Sequence, residues 1–207
     1  MPKTKLTLAR EYVGGLSKPS KMPGMAYSIP AENCLVGSKL RDIPDSVCSK
    51  CYACKGRYMF ANVQNALKRR LASIEQPGWT ASMAIAINGQ PWFRWHDSGD
   101  IQSLQHLERI ARVAELTPDT RHWLPTREKQ IVVKYLKKHG NFPSNLTVRL
   151  SAAMIDGKAP IFPNTSTVHK NSESVGYQCP APNQGNQCVD CRACWDSSID
   201  NVSYHAH

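Results

Sequence analysis

The chain lacks the features that would place it in a membrane or direct it to export. None of its apolar runs is long enough to cross a bilayer, and its first residues, Met-Pro-Lys-Thr-Lys, lack the apolar core of a signal peptide. It also lacks a phosphate-binding glycine loop, a zinc-protease motif and any Ser, His and Asp order typical of a hydrolase. We therefore expect a cytoplasmic protein that does not enter the membrane.

Acidic side chains are also scarce. The 207 residues contain 16 Asp and Glu against 26 Lys and Arg, which gives a formal charge of +10. Such an excess favours polyanionic partners, nucleic acid above all. The alternative is that the basic side chains offset the negative charge of bound thiolate-ligated clusters.

What the chain does contain is eight cysteines in two copies of one pattern. In each copy, a remote cysteine precedes a Cys-x-x-Cys-x-x-Cys run, and no cysteine is left over. In a reducing cytosol, clustered cysteines are expected to bind metal or to do redox chemistry rather than to form disulfides. The first set is Cys34, Cys48, Cys51 and Cys54, and the second set is Cys179, Cys188, Cys191 and Cys194.

The compact cysteine triplets indicate two [4Fe–4S] clusters. Three thiolates within seven residues can surround one side of a cubane, and the remote cysteine supplies the fourth ligand. The second set also contains Cys179-Pro180, and in bacterial ferredoxins the cysteine that joins a compact triplet is likewise followed by proline. Zinc is the alternative, although it usually takes its ligands as separated Cys-x-x-Cys pairs.

The order of predicted elements indicates an α/β fold. Strands and helices alternate through the middle of the chain, which favours a parallel sheet with right-handed crossovers. The units are too few for a closed eight-stranded barrel, so we predict an incomplete parallel (β/α) barrel-like sheet with cysteine-rich metal-binding loops at both ends. The predicted strands are 92–96, 122–125 and 146–150, and the predicted helices are 57–75, 80–87, one that begins at Asp100, and 128–138.

Composition divides the chain into three parts. Residues 1–33 are rich in Lys, Pro, Gly and Ser and predict an extended N-terminal arm with a short strand at 25–29. Residues 34–154 form the predicted α/β core with the first cysteine set. Residues 155–207 lose hydrophobic periodicity, which predicts a cysteine-rich C-terminal module folded around its metal centre.

Candidate catalytic residues follow two of the predicted strands. Ligands of parallel α/β sheets bind at the carboxyl ends of the strands, where this chain has Ser98, Gly99 and Asp100 in one turn and Arg127 in the next. The turn could receive a cationic group, with Gly99 allowing a close approach, and Arg127 could hold a carboxylate or phosphate. The alternatives are that Asp100 is the N-cap of a helix and that Arg127 is a solvated first-turn residue.

Several of these segments resemble the bacteriophage gene product 88 family. The order of elements matches from about Cys34 to the C-terminus, and the resemblance implies a phage protein in the host-cell cytoplasm without implying a particular reaction. The segments that carry it are Cys51-Tyr52-Ala53, Gly56-Arg57-Tyr58, Phe93-Arg94-Trp95-His96 with the turn Ser98-Gly99-Asp100, and the closing Cys-x-x-Cys-Arg-x-Cys-Trp from Cys188 to Trp195.

The Cys-Tyr-Ala segment, followed by a strand that ends in a Gly-acid turn, is also similar to radical S-adenosylmethionine enzymes. In those enzymes, a three-cysteine cluster leaves one iron open for the methionine part of the cofactor, and a turn after the second strand receives its amino group. The similarity implies that Ser98, Gly99 and Asp100 form this turn. It also implies S-adenosylmethionine as a cofactor, an electron donor as a partner, and cluster-dependent redox or radical chemistry.

The role of Cys54 decides between an open and a closed first site. Cys34, Cys48 and Cys51 could form a three-cysteine site with Cys54 as an optional fourth ligand. Cys54 leads into Lys55-Gly56-Arg57 and the predicted start of a helix, where helix-end amides and basic side chains would stabilise a thiolate. This favours a closed four-cysteine cluster.

A rival class of function is not enzymatic. In it, two zinc or iron–sulfur sites would support a basic surface that binds nucleic acid or a host protein.

Overall fold

A computed structural model describes residues 2–206 and contains one seven-stranded sheet. The strand order is β1-β2-β3-β4-β5-β7-β6, and every pair of neighbouring strands is parallel. This confirms the prediction of an α/β fold with a parallel sheet, whereas its barrel-like curvature stays a prediction. The strands are β1 (Met25–Tyr27), β2 (Trp92–Trp95), β3 (Arg121–Thr126), β4 (Leu146–Ile155), β5 (Thr165–His169), β6 (Tyr177–Gln178) and β7 (Asn201–His205).

Six α-helices lie within residues 2–206, and all of them precede β4. The buried side chains of the longer helices recur at three- and four-residue spacing, which explains why their pattern is visible in the sequence. The helices are α1 (Lys5–Tyr12), α2 (Leu35–Leu40), α3 (Ala61–Ser73), α4 (Trp79–Ile87), α5 (Leu104–Leu116) and α6 (Lys129–His139).

The hydrophobic core lies between one face of the sheet and the helices. Phe93 and Trp95 of β2 are fully buried there, with their ring centroids 4.9 Å apart. Tyr27 of β1 and Trp79 of α4 pack beside them, with their own ring centroids 5.7 Å apart. Because side chains alternate along a strand, Arg94 lies on the opposite face of the sheet. That face carries the second cysteine set.

The N-terminal region is not an extended arm. Residues Lys5–Tyr12 form α1, and the side chain of Thr4 caps it by accepting a hydrogen bond from the backbone N–H of Thr7 at 3.1 Å. Val13 is buried in the core, and its carbonyl accepts a hydrogen bond from the Tyr27 hydroxyl at 2.9 Å. The prediction is wrong here because one short helix with few apolar residues gives no clear periodic signal.

The C-terminal region extends the same sheet instead of folding as a separate module. Strand β4 continues to Ile155, so the predicted boundary between 154 and 155 falls within a strand. Strands β5 and β7 show no hydrophobic alternation in the sequence, because their buried side chains are mostly polar and hydrogen-bond to each other. Thr165 Oγ1 donates to Asn201 Oδ1 at 2.8 Å, and His169 Nδ1 lies 2.7 Å from Ser203 Oγ.

No helix in the part of the chain that the structure describes combines the length and the apolar character needed to cross a membrane.

Candidate functional site

The first cysteine set lies at the carboxyl edge of the sheet, in the segment that follows β1. Helix α2 begins directly after Cys34, and its backbone N–H at Val36 donates to the Glu128 carboxylate at 2.8 Å. Glu128 follows β3, so the carboxyl end of that strand fixes the start of the cysteine loop. Two short 3-10 turns follow, Val47–Lys50 with Cys48 and Tyr52–Cys54 with Cys54, and Cys51 lies between them.

Gly37 leaves room for two thiols of this set. A Cβ atom at Gly37 would lie 3.5 Å from Cys48 Sγ and 3.6 Å from Cys34 Sγ, so both sulfurs face one small space. Burial, and after it the neighbouring Asp100, Cys51 and Cys48, together raise the pKa of Cys34 to about 12. The structure therefore brings the remote cysteine to the triplet.

Cys54 differs from the other members of the first set. It is exposed and it ends a 3-10 turn, whereas α3 begins only at Ala61. Burial and then the Cys51 thiol raise the pKa of Cys54. The prediction that a helix start stabilises its thiolate is therefore wrong, because Gly56 has a φ of +58° and residues Gly56–Met59 form another 3-10 turn.

The turn after β2 is fastened to the segment that follows β1. Ser98 Oγ donates to the Ile29 carbonyl at 2.9 Å, and the Ile29 backbone N–H donates to the Ser98 carbonyl at 3.1 Å. Gly99 has a φ of +81°, and a Cβ atom there would lie only 2.8 Å from the Ile29 carbonyl oxygen. The group that approaches Gly99 closely is thus the Ile29 backbone of the same chain, and not a ligand.

Asp100 is a buried carboxylate that joins the turn after β2 to the end of β3. It accepts hydrogen bonds from Thr126 Oγ1 at 2.6 Å and from the backbone N–H groups of Ile101 and Arg127 at 2.8 Å each. Burial raises the pKa of Asp100 to about 6, although these hydrogen bonds offset part of the rise. Its alternative role as an N-cap is wrong, because α5 is capped by Ser103.

Arg127 lies beside the first cysteine set. Its backbone N–H is held by Asp100, and its side chain is half-buried rather than fully solvated. Burial raises the pKa of Cys48, and the Arg127 guanidinium offsets part of this rise. The structure therefore brings two of the predicted residues, Asp100 and Arg127, to the first cysteine set, while Ser98 and Gly99 face Ile29.

The second cysteine set covers the face of the sheet that is opposite the helices. The segment lies between β6 and β7, and Trp195 at its end is buried against Trp92 and Trp123, with ring centroids 5.7 and 5.2 Å away. Trp195 Nε1 also donates to the Phe93 carbonyl at 2.9 Å. The second set is therefore packed on the sheet and does not form a loop beyond its end.

A fully buried arginine holds this segment in place. Arg149 lies in the middle of β4, and its guanidinium donates to backbone carbonyls of the segment. The sequence gives no signal for this role, since a single Arg in an apolar strand has no distinctive spacing. The main acceptors are the carbonyls of Cys194 at 3.0 Å, Ala193 at 2.9 Å, Asp196 at 2.6 Å and Ile199 at 2.8 Å.

Two tyrosines from neighbouring strands contact the second set. The Tyr204 hydroxyl of β7 lies 3.1 Å from Cys194 Sγ, and the Tyr177 hydroxyl of β6 lies 3.5 Å from Cys191 Sγ. Burial raises the pKa of Cys188, and the Cys179 and Cys191 thiols raise it further. The second set is thus also brought together by the fold.

The thiols of each set are gathered, but they do not define a metal site on their own. Within residues 2–206, no group of three or more His, Cys, Asp or Glu side chains is arranged to hold a metal ion. The two thiols that face Gly37, and the Tyr204 hydroxyl that can donate a hydrogen bond to Cys194 as a thiolate, are compatible with thiolate ligation. Metal binding by the two cysteine-rich segments stays a prediction.

Comparison with known proteins identifies a family. A family model described as Gene product 88 matches residues 2–197, a range that includes both cysteine sets, Asp100 and Arg127. No curated protein and no solved structure matches the chain. The similarity to radical S-adenosylmethionine enzymes, the cofactors and the partners stay predictions. The chain belongs to the Gene product 88 family.

Proposed function

We propose that this phage protein binds two [4Fe–4S] clusters in the host-cell cytoplasm and uses the N-terminal one for redox or radical chemistry. Cys34, Cys48 and Cys51, with Cys54 as the candidate fourth ligand, would hold the first cluster, and the second cysteine set would hold the other. A bound [4Fe–4S] cluster supplies one-electron transfer. The observation that carries the proposal is the meeting of the first set with Asp100 and Arg127 at one edge of the sheet.

Asp100 and Arg127 supply opposite charges at that edge. Asp100 Oδ2 accepts one hydrogen bond, from Arg127 N–H, which leaves it a lone pair for a cationic group such as an amine. The Arg127 guanidinium can receive a carboxylate. A zwitterionic amino-acid moiety, such as that of S-adenosylmethionine, has both groups. The carboxyl edge is also where parallel sheets bind their ligands.

The decisive experiment is anaerobic purification followed by iron and sulfide analysis. We expect brown protein with about eight irons and eight sulfides per chain, because each [4Fe–4S] cluster holds four of each. Cys48→Ala and Cys191→Ala should each lose about half of the iron. Lys50→Ala, which changes an exposed neighbour of Cys51, serves as the matched control and should keep all of it. Colourless protein with two zinc ions would contradict the proposal.

A further inference from the structure

A small pocket opens on the face of the sheet that is opposite the helices, at the start of β2 and β3. Its volume is about 240 Å³, which is below the range of roughly 300–1,000 Å³ that is typical of drug-sized ligand sites. The pocket therefore suits one planar ring of a larger ligand better than a whole cofactor. Its lining residues are Trp92, Arg121, Arg192, Trp195 and Asp196.

Trp92 and Arg192 form a preformed stacking surface in this pocket. Trp92 is half-buried, and its ring centroid lies 5.4 Å from the guanidinium carbon of Arg192. Arg192 Nη1 donates to the carbonyls of Val189 at 2.7 Å and Cys191 at 2.8 Å, which fixes the guanidinium. Trp195 packs edge-on against Trp92, with an interplanar angle of 67°. Indole and guanidinium planes are surfaces on which unpaired nucleobases stack.

Arg121 places a free cation beside this surface. The parallel register pairs Arg121 with Trp92, so the two side chains leave the same face of the sheet on strands roughly 4.8 Å apart. Arg121 is exposed, and its guanidinium forms no salt bridge with any residue between 2 and 206. A free guanidinium fork matches two oxygens of a phosphate.

The pocket also contains a carboxylate, that of Asp196. Its Oδ1 accepts hydrogen bonds from the Ser198 backbone N–H at 2.9 Å and from the Ser198 hydroxyl at 2.7 Å, which leaves Oδ2 for a ligand. A carboxylate repels a phosphate, but it accepts a hydrogen bond from an exocyclic amine such as that of cytosine. The pocket thus combines an anion-binding group, a stacking surface and a hydrogen-bond acceptor.

We propose that this pocket binds one nucleotide of a single-stranded nucleic acid, with the base stacked on Trp92 and Arg192, its exocyclic amine on Asp196 and its phosphate on Arg121. A base inside a duplex is stacked and paired, so only an unpaired base can enter. The formal charge of +10 adds a general attraction to the strand. The inference goes beyond the proposed function and does not depend on it, because none of these contacts uses a cysteine.

The test is fluorescence anisotropy with a fluorescein-labelled oligo(dC) of about twelve residues, titrated with the parent protein at several salt concentrations. We expect binding at low salt that weakens as the salt concentration rises, because the bound strand releases counterions. Oligo(dT) should bind several-fold more weakly, since thymine has no exocyclic amine, and Asp196→Ala should remove this preference.

Two substitutions separate stacking from charge. Trp92→Leu keeps an apolar side chain against Trp195 but removes the indole ring, so it should weaken binding about tenfold and leave the salt dependence unchanged. Arg121→Gln should weaken binding and also reduce the slope of log affinity against log salt by about 0.7, the value for one phosphate of a single strand. Arg69→Gln, at an exposed arginine of α3 outside the pocket, is the matched control and should change the affinity by less than about twofold.

The possible results separate this site from general electrostatic attraction and from the proposed function. Arg121 is exposed, so Arg121→Gln decides the question if Trp92→Leu does not fold. Four results would each overturn the site: no binding at low salt, equal loss in Arg121→Gln and Arg69→Gln, equally tight binding of oligo(dC) paired with oligo(dG), or equally tight binding of free dCMP. Equal binding of oligo(dC) and oligo(dT) would overturn the role of Asp196. Protein that binds the strand as expected but holds no iron would contradict the proposed function and support this inference.

Discussion

The first cysteine set is held by short turns at the edge of the sheet, whereas the second is held by a buried arginine on its face. In the first region, Glu128 after β3 accepts a hydrogen bond from the Val36 N–H, and Asp100 joins the turn after β2 to the end of β3. In the second region, Arg149 and Trp195 fasten the segment to β2 and β4. The same cysteine spacing is thus supported in two different ways.

The difference indicates a division of roles. The first set lies among groups that can carry or exchange charge at the ligand-binding edge of the sheet, and one of its cysteines, Cys54, is exposed. The second set ends in Cys194, a half-buried cysteine on a segment that Arg149 and Trp195 fix to the sheet. We therefore expect changes in the second region to affect stability, and changes in the first to affect charge and ligand binding.

The largest effect should come from Arg149→Met. The substitution leaves several buried carbonyls without a donor, and we expect it to lower the free energy of unfolding by about 4 kcal/mol. Arg121→Met, at an exposed arginine of the neighbouring strand β3, is the control and should change it by less than about 0.5 kcal/mol. Urea denaturation followed by tryptophan fluorescence measures both. Equal stability of the two variants would show that the second segment does not depend on Arg149.

The sequence predicts the middle of the fold better than its ends. The prediction of helix 80–87 is confirmed by α4 (Trp79–Ile87), and that of strand 122–125 by β3 (Arg121–Thr126), because their apolar residues face a core made largely by nearby segments. The strands β5 and β7 have no such pattern, since their buried Thr, Ser and Asn side chains hydrogen-bond largely to each other across the two strands. Thr165 and Asn201 are 36 residues apart in the chain, so their pairing cannot be predicted from local composition.

Of the candidate site, the strand-end positions of Asp100 and Arg127 could be predicted because parallel strands collect their carboxyl ends at one edge. Their partners could not. Glu128 and Tyr204 are single residues without a distinctive spacing, and they reach the cysteine sets only through the strand order. The predicted helix cap at Asp100 failed because Thr126 and the Arg127 amide, far along the chain, compete for the carboxylate.

A smaller effect on stability should come from Asp100, at the edge that carries the first set, and it should depend on pH. The pKa of Asp100 is raised from 3.8 to about 6 by burial, so the ionised form costs about 3 kcal/mol at neutral pH. This group stabilises the fold below about pH 4, and the contribution is lost as the pH rises through about 6. We therefore expect the stability of the parent protein relative to Asp100→Asn to fall by about 2.5 kcal/mol between pH 4 and pH 7, because part of the loss already occurs below pH 4.

The measurement is urea denaturation of both proteins across this pH range. Burial lowers the pKa of His106 and of His122 to about 3. Protonation of these histidines in acid lowers the stability of the parent and of Asp100→Asn equally, so this contribution cancels in the difference. Asp119→Asn, at an exposed carboxylate, is the control and should leave the pH profile of the parent protein unchanged. If the difference in stability between the parent and Asp100→Asn did not change with pH, Asp100 would not carry a titrating charge at this edge, and the two regions would not differ in this respect.

The smallest effect should come from Cys54→Ser, which decides whether the first site is open. Cys34 and Cys48 share the space at Gly37, and Cys51 acts on Cys34, whereas Cys54 is exposed and has only Cys51 among the thiols that raise its pKa. We expect Cys54→Ser to keep nearly all of the iron, while Cys51→Ser loses about half of it. If three cysteines suffice, one iron has no protein thiolate, and added S-adenosylmethionine should shift the electron paramagnetic resonance signal of the reduced protein. Equal loss of iron in the two variants would instead establish a closed four-cysteine site, and the two regions would then differ in their support but not in their ligands.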